Sequence, residues 1–289
     1  MRIHPETRIG AVHYTVRDLN RQVDFYRDIL GFHLLWCDGD TAALGTKTRE
    51  LLRLTENPSA PAPGRTTGLY HTAFLVPTKW ELAHLVNRVI ETRTPVQGHS
   101  NHGTHLALYL PDPEGNGIEL AWDFPKEQWP MKDGVIRFED MPREGIDLEA
   151  LLSELDKDPS PWNGLSDETV VGHVHLHVSH LDETRAFYRD LLGFDITIEG
   201  EHLGALFFSA GGYHHHIGTN VWRGVGIPAP PEGARGLRYF TIVLPHGGEL
   251  ERLAARLQQA GVQAQTSEDG QQGLVVRDPA GNGVLLQAA

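Results

Sequence analysis

The chain has 289 residues, 40% of them hydrophobic and 22% charged, with a formal net charge of −13. That balance is typical of a globular protein, and the length suits two ordinary domains. The acidic excess and the lack of any basic run argue against nucleic-acid or anionic-membrane partners. No apolar stretch reaches membrane-spanning length, and the start, MRIHPETRIG, lacks a signal-peptide core. A single cysteine, Cys37, excludes an intrachain disulfide, fits a reducing cytoplasm and is expected to pack as a small apolar residue. The unusual feature is 17 histidines, which cluster.

The first alternating run, IGAVHYTV, reads as a strand and carries His13. VRDLNRQVDFYRDILGF follows from Val16 to Phe32, with an acid near its start and apolar residues at Val23, Phe25, Tyr26, Ile29 and Leu30. That spacing predicts a helix, and Gly31 suits its C-cap. HLLWC, TAALG and ELLRLTE then read as strands. The second unit runs from TGLYHTAFLV, with His71, through a helix at WELAHLVNRVIE to LALYLPDPEGNGIELAWD, with Glu119. From Pro125 to Asp167 proline, tryptophan and charge dominate, with one amphipathic helix in IDLEALLSELDKD, and a surface connector is predicted.

The same order then returns. VSHLDETRAFYRDLLGF, from Val178 to Phe194, repeats FYRD and LGF, and VVGHVHLHV carries His175 where the first strand has His13. GLRYFTIVLP repeats GLYHTAFLVP, and RDPAGNGVLL repeats PDPEGNGIEL. Each repeat must bury its face against a neighbour. The predicted fold is α+β: four βαβββ modules in two pairs, with domains at 1–124 and 168–289 and a linker at 125–167.

In the first pair, strand alternation sets His13, His71 and Glu119 among small or apolar neighbours. An acid is rarely buried unpaired, and three such residues at repeat-related positions point to a metal centre rather than to core packing. Two imidazoles and a carboxylate on one face leave coordination positions open, which suits Fe(II) or Mn(II), with Zn(II) also accommodated. In the second pair His175 survives, but Tyr239 and Leu285 stand at the places of His71 and Glu119. That half is therefore expected to lack the chemistry. His173, His175 and His177, with His214, His215 and His216, are expected to be remnants kept for packing and domain contact.

The duplicated βαβββ pattern, FYRD with LGF, and DPEGNGIEL resemble the vicinal oxygen chelate superfamily, which includes glyoxalase I, type I extradiol dioxygenases and fosfomycin or bleomycin resistance proteins. The resemblance covers both halves and implies that each pair of modules curls into an incomplete barrel whose cup holds a metal. It places ligands at His13, His71 and Glu119. Arg53 falls where glyoxalase I has a fourth ligand, a glutamate, so only the three-ligand dioxygenase set is complete. HGTHLALYLPDPEGNGIE, from His102 to Glu119, nearly matches the extradiol signature, with Ser100 as the mismatch. It implies that His102 and Tyr109 handle protons and substrate oxygens, as loss of catechol protons near neutral pH requires. Glu50 stands near the position of the family's acid–base histidine, whereas the HHHIG segment that matches that position lies in the other half.

The function predicted from sequence is extradiol, meta-cleaving dioxygenation of a catechol-like aromatic diol with Fe(II) and O2. The alternatives are a divalent-metal lyase or isomerase of the glyoxalase type and a non-enzymatic ligand-sequestering protein. A homo-oligomer stays open. His214→Ala is expected to leave turnover within a few-fold. Loss of activity in an intact fold would mean that the second half carries the true site or that the histidine cluster reaches the first cup across a domain or subunit interface.

Overall fold

The first module begins with β1 (Arg8–Val16), whose alternation of β-branched and small residues suits a strand. The helix α1 (Leu19–Asp24) is capped by Asp18, whose side chain accepts from the Arg21 backbone N–H. It runs on as a π-helical turn, Phe25–Ile29, which buries Phe25 and Tyr26, and Gly31 takes a left-handed φ of 71°. Strands β2 (His33–Asp38), β3 (Thr41–Gly45) and β4 (Glu50–Glu56) complete the module as predicted. The second module has β5 (Gly68–Leu75), α2 (Lys79–Glu91), β6 (Gly98–Asn101), β7 (His105–Pro111) and β8 (Gly117–Asp123). A capping box starts α2: Thr78 Oγ1 accepts from the Glu81 N–H at 3.1 Å and donates to the Glu81 carboxylate.

The computed structural model describes residues 2–142, 144–267 and 270–289. After the connector, which carries the hairpin β9 (Met131–Lys132) and β10 (Val135–Ile136) and the short helices α3 (Leu148–Leu152) and α4 (Glu154–Lys157), the pattern repeats. The third module has β11 (Val170–His177), α5 (Leu181–Arg185), β12 (Asp195–Gly200), β13 (Ala205–Ser209) and β14 (Ile217–Asn220). The fourth has β15 (Gly236–Leu244), α6 (Gly247–Gln259), β16 (Gln265–Thr266), β17 (Leu274–Arg277) and β18 (Gly283–Ala288). Among the described residues no helix is long and apolar enough to cross a membrane.

The modules pair into two curled eight-stranded sheets, but not in the expected order. One sheet runs β16-β17-β18-β15-β1-β4-β3-β2 and joins modules four and one. The other runs β12-β13-β14-β11-β5-β8-β7-β6 and joins modules three and two. The central pairs are equivalent: β1 meets β15 with His13 opposite Tyr239, and β11 meets β5 with His175 opposite His71. The first strands of all modules carry similar patterns, so local sequence does not choose between partners; packing of whole modules does.

Adjacent modules nevertheless touch. Tyr26 Oη lies 3.4 Å from the Asp112 carboxylate, and Tyr188 Oη donates to Asp278 at 3.0 Å. The two most legible sequence echoes, FYRD and DPxGNG, are thus the two sides of one repeated contact. The connector is more than surface chain: Ile136, Ile146, Leu151 and Leu165 are buried, and Leu165 N–H bonds the Gly31 carbonyl at 2.8 Å. Its predicted helix breaks into α3 and α4 at Ser153. Cys37 is exposed on β2 rather than packed.

Candidate metal centre

Three adjacent strands, β11, β5 and β8, present their inward side chains to one cup. His173 on β11 stands opposite Ala73 on β5, and Ala73 stands beside Glu119 on β8. The small, wholly buried Ala73 leaves space for the two longer side chains to meet over it. His173 Nε2 lies 3.2 Å from Glu119 Oε2, and His71 Nε2 lies 3.0 Å from the same oxygen. One donor atom from each of His71, Glu119 and His173 falls within 4.8 Å of the others, and all three residues are buried. A β-bulge at Gly172, where the register shifts between Val171 and His173, immediately precedes the β11 histidine.

The donor set fits a divalent cation. His71 Nε2 and Glu119 Oε1 are buried with no well-aligned hydrogen bond, although a carboxylate oxygen and an imidazole nitrogen stand 3.0 Å from them. Buried donor atoms held in this way are costly unless an ion binds them. Two donors each about 2.1 Å from one ion and roughly at right angles stand about 3 Å apart, which matches the observed spacing. The set is two nitrogens and one carboxylate, a combination that holds non-haem iron with open positions.

Burial alone would raise the Glu119 carboxyl, but His173, His105 and His71 together hold it well below the usual range. Burial lowers His173, so both favour their metal-ligating forms. His105 on β7 places Nε2 3.0 Å from Glu119 Oε1, while its Nδ1 meets Thr104 Oγ1 at 2.8 Å. Tyr109 stands directly across from Glu119 in the β7–β8 register, and its hydroxyl meets His102 Nε2 at 2.8 Å. Burial and the Glu119 charge push the Tyr109 phenol well above its ordinary value. Burial, with His105 nearby, lowers His102 to about 3.

The loop before β14 closes another side of the same cup. The His215 ring lies 4.1 Å from that of His173, and its Nδ1 meets His214 Nδ1 at 2.9 Å, so one of the two nitrogens carries a shared proton. His214 Nε2 reaches Asp123 Oδ1 at 3.2 Å, and Tyr213 Oη donates to Asp123 Oδ2 at 2.9 Å. His105, Asp123 and His214 form a second group of mutually close donors. The other histidines of β11 and of this loop are internally satisfied: His175 and His177 both bond Asn220, and His216 Nδ1 bonds Ser209 and the Ala210 N–H. Tyr70 and Trp222, 39% and 51% exposed, meet edge to face beside His71 and His175 and form an aromatic lip.

Of the residues singled out from sequence, the structure gathers His71, Glu119, His102 and Tyr109. It does not bring His13 or Glu50 to them. His13 lies in the other sheet, where its Nε2 meets Thr55 Oγ1 at 2.8 Å and its ring abuts Tyr239. Glu50 lies there too, its two oxygens 2.8 and 2.9 Å from the Arg53 guanidinium. The third imidazole is instead His173, and the histidines at the loop are His214 and His215, so the cluster expected to be a remnant faces the cup. The reason is the module pairing: β11, not β1, is the neighbour of β5. A signal was present, since His173 has only Ala11 as its repeat counterpart, a histidine gained where the other copy has none.

A family model described as the Glyoxalase/Bleomycin resistance protein/Dioxygenase superfamily matches residues 8–120 and 170–286. The chain is 43% identical over 280 residues to a Bacillus subtilis (strain 168) protein named catechol-2,3-dioxygenase, covering 96% of this chain and 95% of that protein. It is 35% identical over 113 residues to biphenyl-2,3-diol 1,2-dioxygenase 3 of Rhodococcus globerulus, a match to 36% of this chain and 57% of that one. The fold is similar to that of Zea mays glyoxalase I, with a TM-score of 0.58 at 16% identity, covering 97% of this chain and 92% of the other.

Proposed function

We propose that this chain, which belongs to the Glyoxalase/Bleomycin resistance protein/Dioxygenase superfamily, is an enzyme that opens a catechol-like aromatic diol by extradiol cleavage, using Fe(II) and O2. The observation that carries this reading is the convergence of His71, Glu119 and His173 from three strands on one buried point. An ion held there supplies a Lewis-acidic centre with open positions where a diol and O2 can be activated together.

The protein's own groups suit the remaining tasks. The diol must give up a proton, and His215 is placed beside the metal ligands to receive it, since burial keeps its ring neutral. The charge so formed is balanced through the proton shared with His214 and the Asp123 carboxylate behind it. Asp123 is 21% exposed, which opens this chain of groups towards solvent. Tyr109 keeps its phenol proton and, held by His102, can hold a substrate oxygen. The lip of Tyr70 and Trp222 offers apolar edges to an aromatic ring. A reducing cytoplasm, consistent with the lone Cys37, completes this reading.

The test is metal analysis of anaerobically purified protein, then mixing of the iron-loaded enzyme with a panel of catechols under air. Oxygen uptake with a yellow ring-opened product supports extradiol cleavage. Iron-loaded protein that consumes no oxygen with any of them would refute it and move the glyoxalase-type chemistry ahead.

A further inference from the structure

The sheet that joins modules four and one has a cup of its own, in which the metal-binding positions are all replaced. By the repeat correspondence Ala11 stands at the place of His173, Tyr239 at that of His71 and Leu285 at that of Glu119. Arg49 and Glu50 take the places of His214 and His215. Tyr239 and Leu285 are themselves buried, but at the edge of this cup, against Val170 and Val171 of β11, lies a cavity of about 320 Å³. Arg8, Ala11, Arg49 and Glu50 line it together with apolar residues and the polar Thr241, Gln271 and Gln287. That volume is in the range of small-molecule sites.

We propose that this second cup binds a small organic carboxylate, its apolar body against Ile9, Ala11, Leu51 and Val171 and its carboxylate on Arg8 and Arg49. Ile9, Leu51 and Val171 are at most 3% exposed and make an apolar floor. The two guanidiniums stand at the rim, close enough that the Arg49 charge adds to burial in weakening the hold of Arg8 on its proton. Like charges gathered in this way favour an anion between them, and forked guanidinium donors match a carboxylate. The acid on this wall, Glu50, is already engaged on both oxygens by Arg53. Among the described residues no carboxylate lies within ion-pair distance of Arg8 or Arg49. Arg49 Nη1 reaches the Thr169 carbonyl at 3.3 Å, which orients that guanidinium without neutralising it. These two cations are concentrated in a chain whose net charge is −13, so general surface charge does not account for them.

The experiment is calorimetric titration of the full-length, metal-loaded protein with benzoate and, separately, with inorganic phosphate. The expected result is one benzoate bound per chain, at least roughly tenfold more tightly than phosphate. Arg8→Gln with Arg49→Gln should weaken it roughly tenfold or more while metal content and catechol turnover stay at the parent level. Ala11→Leu, which fills the floor and leaves the charges, should weaken it as well. His71→Ala, which empties the metal cup, should leave benzoate binding intact. The proposal is overturned if benzoate does not saturate at millimolar concentration, if phosphate binds equally well, or if binding survives the arginine and Ala11 substitutions in folded protein. It is equally overturned if His71→Ala abolishes the binding.

Discussion

Glu119 is almost completely buried and has imidazole nitrogens of His71, His173 and His105 within 3.2 Å. Removing one donor from so small a set should remove the ion. His71→Ala and His173→Ala are each expected to lose stoichiometric iron, measured by elemental analysis after anaerobic purification. His13→Ala should keep full iron while losing its bond to Thr55 and its packing against Tyr239, at a cost of about 1–3 kcal/mol of stability. If His13→Ala emptied the site while His173→Ala did not, the assignment would fail. Tyr109→Phe keeps the ring but not the hydroxyl that meets His102 Nε2, so turnover should fall about 10–100-fold with iron retained. His214→Ala, expected from sequence to be harmless, is now expected to lower turnover by a similar factor. It cuts the link between His215 and Asp123, and parent-level turnover in a folded, iron-loaded variant would contradict that role.

At the scale of elements, the turn between β7 and β8 aims the carboxylate. Asp112 Oδ1 accepts from the Glu114 and Asn116 N–H groups at 2.8 and 2.9 Å, and Asp278 does the same for Ala280 and Asn282. Such side-chain to backbone bonds fix a turn more firmly than the strands alone. Just beyond, Gly117 and Gly283 have no room for a Cβ, which would collide with the carbonyl oxygens of Tyr70 and Arg238. Gly117→Ala must therefore push β8 away from β5 and should cost about 1–3 kcal/mol. Because Glu119 is two residues on, iron should be lost as well. Gly283→Ala should cost a similar amount in thermal or urea unfolding but keep its iron, since the strand it shifts carries Leu285 and no ligand. Equal iron loss in both variants would mean that the metal depends on global stability and not on the placement of β8.

For the whole molecule, the pairing of modules decides where chemistry can occur. Residues 1–124 alone contain β1 and β5 but neither β15 nor β11, so both central strands would lose a neighbour. That fragment is expected to bind no stoichiometric iron and to lack cooperative unfolding in circular dichroism; a folded fragment with one tightly bound iron would overturn the sheet order. The modules, their strands and turns, the connector's place and four of the cup's side chains were legible in the sequence. Hydrophobic period, glycine and repeat spacing are local properties, and His71, His102, Tyr109 and Glu119 all belong to one module. His173, His214 and His215 belong to another, 54 or more positions beyond Glu119. Which module that would be was decided by the tertiary structure. Four similar first strands offer nearly the same hydrogen-bonding edge, and only the packing of entire modules set β11, rather than β1, beside β5.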